Sequence, residues 1–267
     1  MNTKSKRNLL LCVAGGTPAI ITETLWALSQ KHGVRIDEIR VITTKEGRDK
    51  ILTGKIGDRG AADESLLDPN HGQFYKFQKD YPANGSIRFD ANSLYILNAK
   101  QTGVPSPRDD DGERLSDILT DDDNEKAANQ ICEIVRELAA NENICIHATI
   151  AGGRKTMGLF LMAAMQLFGR SSDHISHVLV SKDVEFAAPK FFYKTPVPEP
   201  ILNAAGKPKT KPDGTDLTTE DVAIYLATIP VVWLRGIGAK LLDNPVASYA
   251  QLVSEAQNEL KFLEGRE

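Results

Sequence analysis

Short apolar runs alternate along the chain with longer stretches whose apolar residues recur three and four positions apart. The runs are 8–13 (NLLLCV), 39–43 (IRVIT), 94–97 (LYIL), 144–149 (ICIHAT), 176–181 (SHVLVS) and 191–194 (FFYK). Their length and bounding turn residues predict strands, and the first, apolar nearly throughout, reads as a parallel strand covered on both faces. Three stretches carry a helical stripe: 18–31 through Ile21, Leu25 and Leu28, 124–140 through Ala127, Ile131, Ile134 and Leu138, and 155–168 through Met157, Phe160, Leu161, Ala164 and Leu167. Strands alternating with helices predict an α/β fold, a doubly wound and mostly parallel sheet built from right-handed βαβ units.

Two connections interrupt the alternation. Residues 98–123, rich in Pro, Gly and Asp, predict a long loop of the kind that serves as a lid or as a surface insertion. Residues 195–214 are turn-rich and form the expected boundary between a domain at 1–195 and a linker with a small helical C-terminal extension at 196–267. Within that extension, 217–264 reads as two or three helices interrupted by Pro230 and Pro245, with Leu252, Val253, Ala256 and Leu260 as one apolar stripe.

At 267 residues, 41% hydrophobic and 25% charged, the chain is long enough for a sizeable core without staples. A net charge of -4 argues against a nucleic-acid coat and leaves room for a local anion site. The three cysteines, Cys12, Cys132 and Cys145, lie in apolar contexts without CxxC spacing, as reduced core thiols of a cytoplasmic protein do. No apolar run approaches a signal segment or a membrane span, so no membrane association is expected.

Two glycine turns follow predicted strands and open predicted helices. In the first, Gly15 and Gly16 precede Thr17, a suitable N-cap, and Pro18, a suitable first helical residue. In the second, HATIAGGRKTMGLF, Thr149 closes a strand, Gly152 and Gly153 make the turn, and Arg154, Lys155 and Thr156 lead into the helix. Free N–H groups and the positive end of a helix dipole at such turns suit an anion, and adjacent cations imply a negative group nearby. Glycine at a strand-to-helix turn also arises from packing alone, and that alternative stands at the first turn. Neither a Walker A nor a GxGxxG spacing is present.

The segments GGTPAIITETLWAL, NEKAANQICEIVREL, HATIAGGRKTMGLFLMAAMQLFGRSSDHISHVLV and IPVVWLR, in this order, resemble a CRISPR-associated family of CARF proteins regarded as ring nucleases. The likeness implies a Rossmann-like domain, a two-fold homodimer, and a cyclic oligoadenylate lying across the dimer axis at the carboxyl ends of the strands. It further implies metal-independent cleavage, in which a ribose 2′-OH attacks its own 3′-phosphate and leaves a 2′,3′-cyclic phosphate and a 5′-OH. Carried onto this chain, the catalytic expectation is Lys155 for charge stabilisation, supported by Arg154, with Thr17 orienting the ribose or holding a phosphate. The ligand-binding expectation adds the turn residues Gly15, Gly16, Thr149, Gly152, Gly153 and Thr156, and, by position alone just past the strand predicted at 94–97, Asn98 and Gln101, with no cofactor, no metal and no DNA partner.

Other signals carry less. His32, His71, His147, His174 and His177 show neither HxxxH nor HxH spacing, and His147 reads as a satisfied, half-buried histidine. Asp109–Asp111 read as a solvated loop, and Asp121–Asp123 as an acidic helix start. Arg170 and His177 match the R-x(4–6)-H spacing of a HEPN ribonuclease, yet they span a helix end and the next strand, so no fused effector is expected. Residues 216–264 hold seven acids against three bases, the wrong sign for a DNA-tracking tail. A ring nuclease for cyclic tetra-adenylate is the leading expectation. The alternative is a non-catalytic sensor that holds the same ring and signals to a partner.

Overall fold

The computed structural model describes residues 6–99, 104–105, 114–185, 191–203, 205–235 and 248–264. The strands among them are β1 (Arg7–Ala14), β2 (Glu38–Thr43), β3 (Lys55–Ile56), β4 (Arg59–Gly60), β5 (Leu94–Ile96), β6 (Ile144–Thr149), β7 (His174–Val180) and β8 (Ile224–Thr228). The helices are α1 (Ala19–Trp26), α2 (Lys45–Thr53), α3 (Gln73–Asp80), α4 (Asp121–Ala140), α5 (Lys155–Phe168), the single turn α6 (Lys182–Glu185) and α7 (Tyr249–Glu264). α1 continues as a π-helical turn, Ala27–Lys31. β3 and β4 make a small separate hairpin.

The main sheet runs β5-β2-β1-β6-β7-β8, parallel throughout except for β8. This is the expected Rossmann-like, doubly wound arrangement. Strand β1 is central, and its Leu9–Ala14 stretch is buried on both faces, which explains its unbroken apolar run. Alternate residues of the sheet feed two cores. On one face Leu10, Cys12 and Ala14 pack with Ile21 and Leu25 of α1 and Phe74 and Phe77 of α3. On the other, Leu9, Leu11 and Val13 pack with Ile131 and Ile134 of α4, Leu161 and Phe168 of α5 and Leu252 of α7.

Three expectations are corrected. Residues 191–194 form no strand; Phe191, Phe192 and Tyr193 are buried as irregular chain, with Tyr193 edge-on to Phe77 and its hydroxyl on Asp80 Oδ2 at 3.0 Å. Their apolar character serves packing against α3 rather than sheet pairing. Within 217–264 the chain first makes β8, antiparallel to β7, before helix α7. The β-branched and aromatic run IYLAT completes the sheet edge, and Lys31 Nζ donates to the Ile224 carbonyl at 2.5 Å. Ile201, Leu217, Val222 and Ile224, all past the expected boundary at 195, join the same core as α1. Finally, Thr17 does not cap α1. Pro18 takes the N-cap position with αR angles, its carbonyl accepts from Ile21 N at 3.0 Å, and no side chain caps the helix.

The loop expected at 98–123 is partly anchored. Leu115 and Ile118 are buried, and Thr120 and Asp123 close a capping box on α4, whose first turn carries Asp121–Asp123 as expected. Asp109–Asp111 lie outside the described residues. No helix among the described residues is long and apolar enough to cross a membrane.

Candidate functional site

Helix α1 leaves β1 towards one face of the sheet, and α5 leaves β6 towards the other. The winding therefore reverses between β1 and β6, and a crevice opens there beyond the strand ends, where α/β sheets take their ligands. Both glycine turns lie at this point. They touch: a Cβ placed on Gly15 would sit 3.4 Å from Gly153 Cα. On its other side Gly15 meets α2, where a Cβ on Gly47 would lie 3.1 Å from Gly15 Cα and 2.2 Å from Thr43 Oγ1. At Gly152 a Cβ would come 2.6 Å from the Val13 carbonyl, and Gly153 has φ +72°. Glycine is thus required by close backbone approach at Gly152 and by a left-handed turn at Gly153. Gly153→Ala is expected to destabilise the chain by about 1–2 kcal/mol in urea unfolding, the cost of a Cβ in that conformation.

The two helices that start here are uncapped. Thr44 caps α2 and Thr120 caps α4, whereas neither α1 nor α5 has a side-chain cap hydrogen bond. Their first-turn N–H groups consequently face the crevice without side-chain acceptors, a favourable setting for an anion. Thr17 is exposed and, since it does not cap, its hydroxyl is free of that duty.

A cleft of about 490 Å³ opens between the turns and the end of β7. Gly16, Thr17, Gly152 and Gly153 line its rim, and Glu23 of α1 lines its floor. Glu23 is 7% exposed, and burial alone pushes its carboxyl up to about 8. It is a neutral acid at physiological pH, able to donate one hydrogen bond and accept another. No motif in the sequence singles it out. The available signal was a lone carboxylate among the apolar residues of AIITETLW, all buried except the final Trp26.

On the far side of the Gly15 turn, a second cavity of about 260 Å³ is lined by Gly16, Gly47, Gly153, Arg154 and Asp117. Arg154 is bidentate on Asp117, with Nε 2.9 Å from Oδ1 and a second bond from the guanidinium to Oδ2. The guanidinium holds the Asp117 carboxyl below its ordinary range. The negative neighbour that the paired cations called for is therefore supplied, for Arg154, by the chain itself. Lys155, the first residue of α5, is exposed and lines neither cavity of the single chain.

The remaining expected residues divide. Thr156 lies in the first turn of α5, half-buried. Thr149 is fully buried, and its hydroxyl has no hydrogen-bond partner among the described residues. Asn98 is buried, its N–H and carbonyl clamped by the Gln130 amide at 3.0 and 2.8 Å. Gln101 lies outside the described residues. Arg170 grips Asp173 and the Asn141 carbonyl, a structural engagement within the sheet's supporting loops. Burial raises the Cys12 and Cys132 thiols, the latter to about 12, so neither is a ready nucleophile. At the opposite end of the sheet, Cys145, His147 and His174 come together, which their spacing in the sequence did not reveal.

The profile of a family described as CRISPR-associated protein NE0113 matches residues 17–261. A comparison with curated proteins found no match. Among solved structures, Enterococcus italicus Csm6 bound to cyclic hexa-2′-fluoro-hexa-dAMP aligns at 12% identity with a TM-score of 0.36. The alignment covers 65% of this chain and 33% of that one, so this chain spans about a third of its length.

Proposed function

The chain belongs to the CRISPR-associated NE0113 family, and from that premise we propose that it is a ring nuclease: it binds a cyclic oligoadenylate at the crevice between β1 and β6 and opens it. The observation that carries this reading is the contact of the two glycine turns at the reversal point, with uncapped helix starts on both sides. A cyclic oligonucleotide presents several phosphates close together. Backbone N–H groups at two adjoining turns meet that geometry better than a single cationic side chain does.

In the proposed reaction a ribose 2′-OH attacks the adjacent 3′-phosphorus, the bond to the 5′-oxygen breaks, and that oxygen leaves as a 5′-OH after taking a proton. A 2′,3′-cyclic phosphate remains. Rate comes from holding the attacking oxygen, phosphorus and leaving oxygen near a line, and from stabilising charge on the phosphoryl oxygens. Lys155 supplies that charge, the Gly153–Thr156 backbone cradles the phosphate, and Thr17 orients the ribose. No metal takes part. Glu23, neutral on the cleft floor, offers a donor and an acceptor to an adenine edge without repelling the phosphates.

The ring is shared by two copies of the chain. Lys155 and Leu159 stand four residues apart on one exposed face of α5, and Leu159 is 65% exposed. An apolar side chain beside that cation suits an interface that brings Lys155 of each copy to one ligand. Leu159→Glu is expected to convert a dimer to a monomer in light scattering and to weaken ring affinity by about tenfold, the worth of one good contact.

A second reading, a sensor that binds without cleaving, is favoured by the pairing of Arg154 with Asp117, which leaves fewer free cations at the turn. Incubation with cyclic tetra-adenylate in excess chelator separates the two. Linear products ending in 2′,3′-cyclic phosphate support the nuclease; tight binding of an intact ring supports the sensor.

A further inference from the structure

At the end of the sheet opposite the crevice, three strands bring a thiol, two imidazoles and an amide oxygen to one point. Cys145 and His147 are alternate residues of β6 and share a face, and His174 pairs with His147 in the β6–β7 register. One ligand atom from each lies within 4.8 Å of the others. Asn8 of β1 stands beside them, in register with Cys145. Its Nδ2 donates to the Arg35 carbonyl at 2.7 Å, which turns its Oδ1 to within 3.4 Å of His147 Nε2. Cys145 Sγ lies 3.7 Å from the same nitrogen.

The 3.4 Å contact is long for an N–H···O hydrogen bond, which favours about 2.7–3.2 Å. Both spacings suit the edges of a tetrahedron. A zinc ion with ligands at about 2.0–2.3 Å sets its ligand atoms about 3.3–3.8 Å apart. We propose that Cys145, His147 and His174, with Asn8 Oδ1 or a water as fourth ligand, form a binding site for a first-row transition ion of the Zn2+ class.

The donor set selects that class. One sulfur and two imidazole nitrogens match Zn2+ or Co2+ and disfavour Mg2+ and Ca2+, which take oxygen. The flanking carboxylate does not compete as a ligand, because Asp173 is held by Arg170 and by the Ile146 N–H at 2.9 Å. Entry is open on the side of His174, which is exposed. Cys145 donates its S–H to the Ser172 carbonyl at 2.7 Å, so binding replaces that hydrogen bond and releases one proton to solvent. Thr149 lies four positions beyond Cys145 on β6, roughly 13 Å along the strand. The ion therefore touches no ligand in the crevice. It ties β6 to β7, and with Asn8 as fourth ligand also β1, the strands that lead to both glycine turns and one wall of the cleft.

The test uses the full chain, stripped with chelator and kept reduced without thiols, titrated with Co2+ and then Zn2+. The expected result is a thiolate-to-cobalt charge-transfer band that saturates at one equivalent and is displaced by Zn2+. Cys145→Ser abolishes the band. His174→Ala, a change at an exposed position that leaves folding intact, weakens Co2+ binding by at least about tenfold. Saturating Zn2+ raises the melting temperature of the wild type and not of either variant. A missing band at one equivalent, a band of full intensity in Cys145→Ser, or an unchanged melting temperature with Zn2+ overturns the proposal. Because the readouts are spectroscopic and thermal, they are independent of any ring cleavage.

Discussion

Lys155→Ala lowers the rate of ring opening by about 10²–10³-fold at saturating cyclic tetra-adenylate, in excess chelator, while the ring still binds. That magnitude is typical of removing one preorganised group that meets charge developing in a transition state. The position favours such a role: Lys155 is the first residue of α5, its ammonium is exposed, and the helix start behind it has no side-chain cap. Arg154 provides the contrast. Its guanidinium is already bidentate on Asp117, so Arg154→Ala is expected to cost less than about tenfold, and Asp117→Asn to strengthen binding by freeing the cation. Lys155→Arg keeps the charge and retains more activity than the alanine variant. A loss confined to affinity makes Lys155 an anchor. Full activity in Lys155→Ala sinks the assignment.

The two glycine turns were legible because their signals are local. β1, β6 and α5 each announce themselves by apolar runs or stripes, and a glycine pair between strand and helix marks a turn wherever it falls. That the two turns touch is a consequence of the β1–β6 pairing, which no local pattern encodes. Helix α2 escaped notice because KEGRDKILT buries only Gly47 and Ile51, too little for a stripe. The pattern over 217–264 predicts helices, and β8 departs from it because the open edge of β7 offers the IYLAT run a pairing partner that no local pattern encodes. The Cys145, His147 and His174 cluster was hidden for a related reason. Two of its members sit on alternate positions of one strand and the third lies across a register, whereas metal motifs are recognised by spacing along the chain. Thr17 shows the converse error: an ideal capping residue in sequence, it yields the cap to Pro18 and leaves its hydroxyl at the cleft rim.

Glu23→Gln makes the chain more stable than the wild type at alkaline pH, and the two converge in acid. The folded state holds the Glu23 proton up to about pH 8, whereas an unfolded chain releases it near the ordinary value of 4.5. Between these points the folded state binds more protons than the unfolded one, so stability falls as pH rises through that window and levels off above it. Each pH unit of the window is worth about 1.4 kcal/mol for a full proton difference, which makes the alkaline penalty several kcal/mol. Glutamine has nearly the same shape and never ionises, so urea unfolding of the pair at several pH values isolates this group. The same titration governs the cleft. Above about pH 8 the wild type turns a carboxylate towards an anionic ring, and affinity falls; in Glu23→Gln that fall is absent. Equal stability of the two proteins well above pH 8, together with identical binding profiles, means that Glu23 is ionised and hydrated at neutral pH. The cleft floor then carries a permanent negative charge, and the phosphates of the ring must lie against the glycine turns, away from it.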